Sequence, residues 1–592
     1  MNAQKFRLVA ILLVLAFVFA ACGGQPSPTA APAAETAAPQ QVQPTEPPVA
    51  ATQPPAAAQT QAPAATEAPA VTEAPAATEA PAAERSGGVL RFGLRAADLG
   101  SLDPHFATSV QDRTVVDMIF NGLLRNVPGD ASQYEPDLAV DMPTVEVVDG
   151  KQVWTFQIKQ GVMCQPTEGV PSYELTSDDV LYSFESAANP ETSAFASDYD
   201  GMTFEAPDAN TFKITTDIPV SSSLFYPKVS NYSGGFIVCK QAAEALGLDA
   251  FKTHPVGTGP FKFVSYAPQT NIVLEAYDDY FRGKPQLDGV ELRFIPELTS
   301  LDLALRSGEL DVINGGPDQL WIEDIEQTPG IKVDVFGVGE VAIVYFNITA
   351  PPLDKLEVRQ AIAYALSRKE FLALAGDRVA AIVYSPVPEQ FLPGGLTKQE
   401  VEDQGVAYDY DPEKAKQLLA DAGYPDGFSM DLVTSELTGY KAMYESLQAQ
   451  LAEVGITINL QVVDHSSYHE LIRKDVNPIV IYIAWRPNAD VYLTKFFLSD
   501  SIVVTGSKPD TNFSHYDKID DLILEARAAQ DEQEQIRLWK EAQIQILKDV
   551  AAYPLQYQNQ VYARQDYVDY GHPLKSVLAL YPGINENTRL NK

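Results

Sequence analysis

The chain has 592 residues, of which 45% are hydrophobic and 20% charged, and its formal net charge is −37 at pH 7. This length exceeds one compact domain and predicts two or more lobes. The acidic excess argues against a nucleic-acid-binding footprint and against electrostatic docking on anionic lipid. It is compatible with cationic or neutral ligands, although a solubilising surface is the simpler interpretation.

Residues 1–21 have the pattern of a secretory signal peptide, with two basic residues, an apolar run over residues 8–19 and a pair of alanines. The apolar run is shorter than the roughly 20 residues that a membrane-spanning helix needs. Cys22 follows directly and resembles the cysteine of a bacterial lipobox, with Phe19 in the place of the usual leucine. The resemblance implies cleavage before Cys22 and its acylation. The alternative is an ordinary cleaved signal followed by an accidental cysteine.

Residues 22–85 are dominated by Pro, Ala, Thr, Glu and Gln, and similar hexads repeat at 65–70, 71–76 and 77–82. Frequent proline prevents a continuous helix, and few bulky apolar groups are available to offset the entropy of ordering. The segment is therefore predicted to be a disordered tether that reaches at most about 200 Å.

The remainder predicts a mixture of strands and helices. Alternating apolar and polar residues predict strands at 89–94, 153–158 and 456–462. Helical spacing and capping residues predict helices from Thr176, over 411–422, from Met443 to Val454, around 519–526 and from Trp539 to Val550. A helix followed directly by a strand, as at Gly455, is typical of α/β construction. No second apolar run is long enough to span a membrane.

The sequence contains no strong catalytic or metal-binding motif. The run Gly257-Thr258-Gly259-Pro260 lacks the lysine and the helix of a phosphate loop, and no G-x-S-x-G elbow occurs. His465 and His469 stand four residues apart, but without an H-E-x-x-H pattern a solvated helix face is favoured over a metal site. Cys164 and Cys239 either pair in an oxidising exterior or remain buried free thiols.

Several segments, taken in order, resemble the family 5 extracellular solute-binding proteins, the oligopeptide, dipeptide and nickel receptors of ABC importers. They are GGVLR from Gly87, SLDPH from Ser101, HPVGTGPF from His254, YDDYFRGKPQLDGV from Tyr277, ALRSGELD from Ala304, VRQAIAYA from Val358, and the stretch from Tyr410 to Phe428. Each segment is weak evidence alone, whereas the ordered set covers nearly the whole chain after the tether.

The resemblance implies an α/β fold of the two-lobed periplasmic-binding-protein type (class II, similar to cluster C), with an extra domain inserted in the N-terminal lobe. The predicted boundaries are 86–135, 256–350 and 551–592 for lobe I, 136–255 for the inserted domain and 351–550 for lobe II. The family closes its lobes over a ligand in the cleft, and hinge positions absorb that motion.

The function implied is that of a monomeric, lipid-anchored receptor outside the cytoplasmic membrane. It would capture an oligopeptide or similar small solute and deliver it to an ABC permease driven by a partner ATPase. No enzyme activity, cofactor, metal or nucleic acid is expected. The alternatives are a surface-anchored hydrolase of peptides or glycans, and a solute sensor without transport.

The expected ligand-binding residues are Trp485, Arg486, Asn488, Asp490, Asn347 and Phe106. In peptide-binding relatives an Asp three residues after the Trp pairs with the ligand's amine. Here Asn488 holds that position, and Asp490, two residues later, is the candidate replacement. An amide forfeits the charge-assisted bond, so specificity for peptides is open. Arg486 can bind a carboxylate with two hydrogen bonds. Core packing, a turn or a mutual salt bridge are the structural alternatives for these residues.

Overall fold

The computed structural model describes residues 87–576 and 580–592. The predicted signal peptide, Cys22 and the whole of the predicted tether lie outside these residues. None of the helices in the described ranges is both long and apolar enough to cross a membrane.

The largest sheet is mixed and joins strands that are far apart in the chain. Its order is Phe261–Ala267, Asn271–Ala276, Gly289–Phe294, Val89–Leu94, Val312–Asn314, Ala552–Gln565, Ile331–Phe346 and Ile479–Ala484, with Ala380–Ile382 also paired to Ala552–Gln565. Val89–Leu94 runs parallel to both of its neighbours, and the other pairs are antiparallel. Strand Val89–Leu94 confirms the prediction for residues 89–94.

Two large hydrophobic cores lie along this sheet, with smaller clusters beside them. The first contains Leu90, Phe336 and Tyr562, and the second contains Val341 and Leu555. We call the residues around the first core lobe I and those around the second core lobe II. Because one core gives way to the other between 336 and 341 on one strand and between 555 and 562 on its partner, these two long strands connect the lobes.

The pairing between the two long strands is interrupted at this changeover. Phe336 lies opposite Gln560, whereas Glu340 lies opposite Gln558. Three residues on one strand therefore span the same distance as one residue on the other, which locally weakens the ladder and increases twist. The predicted lobe boundary at 350–351 lies about ten residues after the change of core at 336–341. The predicted boundary at 550–551 lies a few residues before the change of core at 555–562.

The predicted inserted segment contributes an antiparallel sheet of four strands, in the order Thr144–Val148, Lys151–Gln157, Thr211–Thr216 and Met202–Asp208. Its inward side chains, including Trp154 and Phe212, belong to the same core as Leu90. Helix Ser177–Ala187 begins with a capping box at Thr176, as the sequence predicts. Cys164 and Cys239 are joined by a disulfide.

Lobe II is mainly helical around a short parallel pair, Phe428–Ser435 and Ile456–Val463. The predicted helices occur as Pro412–Asp421, Thr438–Ala452, Asp520–Ala528 and Glu532–Lys548. Asp411 caps the first of them by accepting a hydrogen bond from the Lys414 amide at 3.0 Å. The other helices of lobe II are Leu356–Ala365, Arg368–Ala375, Lys398–Asp403, His465–Arg473 and Ala489–Phe497, with a 3₁₀ turn at Ser499–Ser501.

The remaining elements belong to the segments around lobe I. The helices are Val110–Ile119, Ser222–Val229, Lys240–Leu246, Leu248–Phe251, Leu298–Arg306 and Gln319–Ile325, with 3₁₀ turns at Ala196–Tyr199 and Ser233–Gly235. The short strands are Asn121–Gly122, Leu124–Val127, Asp130–Pro136, Met163–Cys164, Tyr173–Glu174, Phe236–Ile237, Val568–Asp569 and Arg589–Leu590.

Candidate functional site

The candidate site lies where the two lobes meet beside the changeover. Val341 pairs with Ala484 on one side and with Tyr557 on the other, and Glu340 lies opposite Gln558. Trp485 directly follows Ala484, the last residue of its strand. Its backbone therefore leaves the sheet beside Val341, where the lobe II core begins.

Trp485 reaches across to lobe I. Its ring meets the ring of Tyr232 edge to face, with centroids 5.6 Å apart. The Arg113 guanidinium lies 5.3 Å from the Tyr232 ring centre and 6.0 Å from that of Trp485. An Arg113 Nη1–H donates to the Tyr232 hydroxyl at 3.3 Å. We call Trp485, Tyr232 and Arg113 the interlobe cluster.

A second contact between the lobes lies on helix Ser222–Val229. The hydroxyls of Ser221 and Ser223 both donate to Oε1 of Gln535 at 2.8 Å, and Gln535 is fully buried in lobe II. Leu224 on the same helix packs against the lobe II core. The two lobes are therefore in direct contact at a second place.

Several buried polar atoms around the changeover have no hydrogen-bond partner among the described residues. They include Nε1 of Trp485, Nε of Arg113 and both amide atoms of Gln556, which lies opposite Ala342 on the connecting strand. Leaving such a group unpaired costs about 1–3 kcal/mol, and buried polar groups in native proteins are usually bonded. Similar atoms occur elsewhere in the described residues, but those of Trp485 and Arg113 belong to the interlobe cluster, which makes this the candidate site for a polar molecule.

Glu340 adds a carboxylate to this region. It is half-buried, and burial raises its pKa despite a hydrogen bond from Gln560. Burial raises the pKa of Tyr440 and Tyr492, and the charge of Glu340 adds to both shifts, which places Glu340 near both phenols. The site therefore combines a guanidinium, an indole N–H and a partly desolvated carboxylate.

Two of the predicted ligand-binding residues have structural partners. The Asn488 side chain accepts a hydrogen bond from the Val491 amide at 3.0 Å and caps helix Ala489–Phe497. Asp490 is 7% exposed and binds Arg527 through both carboxylate oxygens, at 2.9 and 3.1 Å. The carboxylate of Asp490 is thus already neutralised by a cation of its own lobe.

Arg486 is also engaged within its own lobe. Its Nη1–H donates to the Trp485 carbonyl at 2.8 Å, and its guanidinium lies 4.7 Å from the Phe496 ring centre. Arg486 thus stabilises the backbone conformation of Trp485 through this hydrogen bond.

Asn347 and Phe106 have partners elsewhere. The Asn347 oxygen accepts from the amide and the hydroxyl of Thr349, at 3.0 and 2.7 Å, and its Nδ2–H donates to Asp475. Phe106 lies beneath the Lys252 ammonium at 4.6 Å. Of the six predicted residues, Trp485 is the one that the structure places in the interlobe cluster.

Sequence reasoning missed Arg113, Tyr232, Glu340 and Gln556. Tyr232 is 119 residues from Arg113, and Trp485 is far from both, so no local spacing connects them. The available signal was weak: Arg113 stands three residues before Val116 on helix Val110–Ile119, and it is 8% exposed in the structure. A buried cation needs a partner, and Tyr232 supplies it.

A polar cavity of about 80 Å³ lies in lobe I, and Tyr232 of the interlobe cluster forms part of its lining. Asp117, Arg125, Asp137 and Glu586 line it. Burial raises the pKa of Asp117 to about 6, and the charge of Asp137 adds to the effect. The cavity is much smaller than the roughly 300–1,000 Å³ of a small-molecule site, so it does not hold a solute alone.

Two α/β lobes, joined by paired strands and meeting around a polar site, define a bilobal binding protein of the periplasmic type. The model of the bacterial extracellular solute-binding proteins, family 5, matches residues 133–502, and the chain belongs to that family. The fold and the family predicted from the sequence are confirmed.

The chain is also similar to individual solute-binding proteins. The structure of MoaA from A. tumefaciens R10, in complex with mannopinic acid, is 39% identical, covers 86% of this chain and all of its own, and has a TM-score of 0.71. Heme-binding protein A of Haemophilus influenzae is 27% identical over 72% of this chain and 79% of the relative. The dipeptide-binding protein of Escherichia coli is 27% identical over 67% and 77%.

Proposed function

We propose that this chain is the solute-capturing subunit of an ABC importer, which closes its two lobes on a small polar solute and releases it intact to a permease. The observation that supports this most is the interlobe cluster, because it joins the two lobes beside buried polar atoms that have no partner in the described residues. Closure removes water from such a site and strengthens each hydrogen bond made inside it.

The proposed solute carries acceptor groups and an acid function. The unpartnered atoms of Trp485 and Arg113 are both N–H donors, which suit a carboxylate, carbonyl or hydroxyl. The acidic anchor expected for a peptide amine is replaced by Asn488, whose oxygen is used as a helix cap. The relative that holds mannopinic acid supports an acid of this size. A short peptide bound through its carboxylate belongs to the same class.

Delivery is proposed to follow the family pattern. A solute stabilises the closed form only through contacts that it makes better there, and the cluster supplies such contacts from both lobes. Acylation at Cys22 would hold the protein at the membrane, and the tether would let it reach the permease. The import energy would come from the partner ATPase, and the receptor would act as a monomer without a cofactor.

A thermal-shift panel tests the proposal. The purified protein would be heated with dipeptides, with amino acid–sugar acids such as mannopinic acid, and with neutral sugars. We expect an acid-bearing solute to raise the melting temperature of the wild type and not of Trp485→Ala. Trp321→Ala is the matched control, since Trp321 packs inside lobe I and bonds Asp302. Solutes recovered as cleaved products would instead support the hydrolase.

A further inference from the structure

His465 and His469 form a close pair in lobe II. They lie at the start and in the middle of helix His465–Arg473, and their Nε2 atoms are 3.1 Å apart. The ring centroids are 4.4 Å apart, with planes at 80°. Both side chains are half-buried, so the pair differs from the solvated helix face that the sequence favours.

The separation of these two nitrogens suits a single metal ion. A metal–imidazole bond is about 2.0–2.1 Å long. Two nitrogens on one ion, at angles between square-planar and tetrahedral, are therefore about 2.8–3.4 Å apart. The observed 3.1 Å lies inside that range.

The two Nε2 atoms share one hydrogen bond, and a metal ion would take the place of its proton. The proton can move to Nδ1 of His469, which has no hydrogen-bond partner among the described residues. Nδ1 of His465 lies 3.0 Å from the Ser435 hydroxyl oxygen, which also accepts from the Leu437 amide. A hydroxyl oxygen has two lone pairs, so it can accept from Nδ1–H as well and direct the free Nε2 of His465 toward His469.

Aromatic rings surround the histidine pair, and the nearby Arg473 makes its hydrogen bonds with other atoms. The ring centroids of Tyr440 and His465 are 5.4 Å apart, and those of Tyr482 and His469 are 5.7 Å apart. Arg473 donates to the His469 carbonyl and to the Tyr482 hydroxyl, so its charge lowers the affinity for a cation without blocking the two Nε2 atoms. In the described part of the chain, no group of three or more His, Cys, Asp or Glu side chains is arranged to hold a metal. The pair therefore supplies two ligands and leaves the other positions open.

We propose that His465 and His469 chelate one late first-row divalent ion, Cu²⁺, Ni²⁺ or Zn²⁺, whose remaining coordination positions are filled by water or by donor atoms of a solute. Imidazole suits these three ions, and Cu²⁺ is bound most tightly in the usual order. The proposal does not rest on the proposed transport function.

Cu²⁺ alone is the probe. Isothermal titration and electron paramagnetic resonance would be run on the intact purified protein at pH 7.5. We expect one site whose spectrum shows two imidazole nitrogens, and an affinity at least tenfold lower in His465→Gln and in His469→Gln. His254→Gln, on an exposed histidine of lobe I, should match the wild type. Ser435→Ala should weaken binding less than either pair variant.

Two results would overturn the proposal. One is a wild-type spectrum without two imidazole nitrogens, which needs no variant and so does not depend on variant folding. The other is unchanged Cu²⁺ affinity in both pair variants, with circular dichroism showing that each variant is folded.

Discussion

Replacing Trp485 by alanine should open the protein. The ring makes one edge-to-face contact with Tyr232 and lies 6.0 Å from the Arg113 guanidinium, both across the lobes. The aromatic pair contributes about 0.5–1.5 kcal/mol and the cation–π contact about 0.5–1 kcal/mol. The closed form should therefore lose about 1–2.5 kcal/mol, so the ratio of closed to open molecules should fall about 5- to 60-fold.

Single-molecule energy transfer measures this ratio directly. Dyes attached through noncanonical residues at Glu205 and Glu445, which are exposed on the two lobes, report the distance between the lobes. Trp485→Phe is the matched control, because it keeps an aromatic ring and should retain most of the closed population. An unchanged closed fraction in Trp485→Ala would refute the assignment of this ring as an interlobe contact.

Three further predictions concern stability. Asp490→Asn should lower the free energy of unfolding by about 1–3 kcal/mol, because Arg527 loses its charged partner. Solute affinity should be unchanged. Weaker solute binding at unchanged stability would instead identify Asp490 as a ligand-binding residue. Replacing both Cys164 and Cys239 by alanine should cost about 4 kcal/mol in calorimetry, since a separation of 75 residues is closed, and equal stability in oxidised and reduced protein would contradict this. The pKa of Asp117 is about 6 when folded, above the 3.8 expected when unfolded, so the unfolded chain loses its proton first and stability falls as the pH rises from about 4 to about 6. Asp117→Asn should therefore raise the melting temperature at pH 7.5 and not at pH 4, and an equal change at both values would contradict the buried carboxylate.

Local elements could be predicted from the sequence because their signals are local. Asp411 followed by proline, and the apolar stripe behind them, define helix Pro412–Asp421 without any tertiary information. The alternation that predicts residues 456–462 likewise gives strand Ile456–Val463. The family pattern then orders such elements into two lobes.

The site could not be predicted in the same way. Asp490 and Asn347 are polar residues at positions where a ligand could bind, but Arg527 and Thr349 provide partners that no spacing reveals. The contact between Trp485 and Tyr232 depends on how two lobes meet, and neither residue carries a mark of it in the sequence. The distance between the two imidazoles also depends on side-chain rotamers, which residue spacing alone does not fix.

Native mass spectrometry of the mature protein, purified from its own host without refolding, tests the central claim most directly. We predict a complex with one intact small acid per chain, which disappears in Trp485→Ala. A wild-type protein that carries no solute and gains none from host extract, or one that yields only cleaved fragments, would contradict capture between closing lobes.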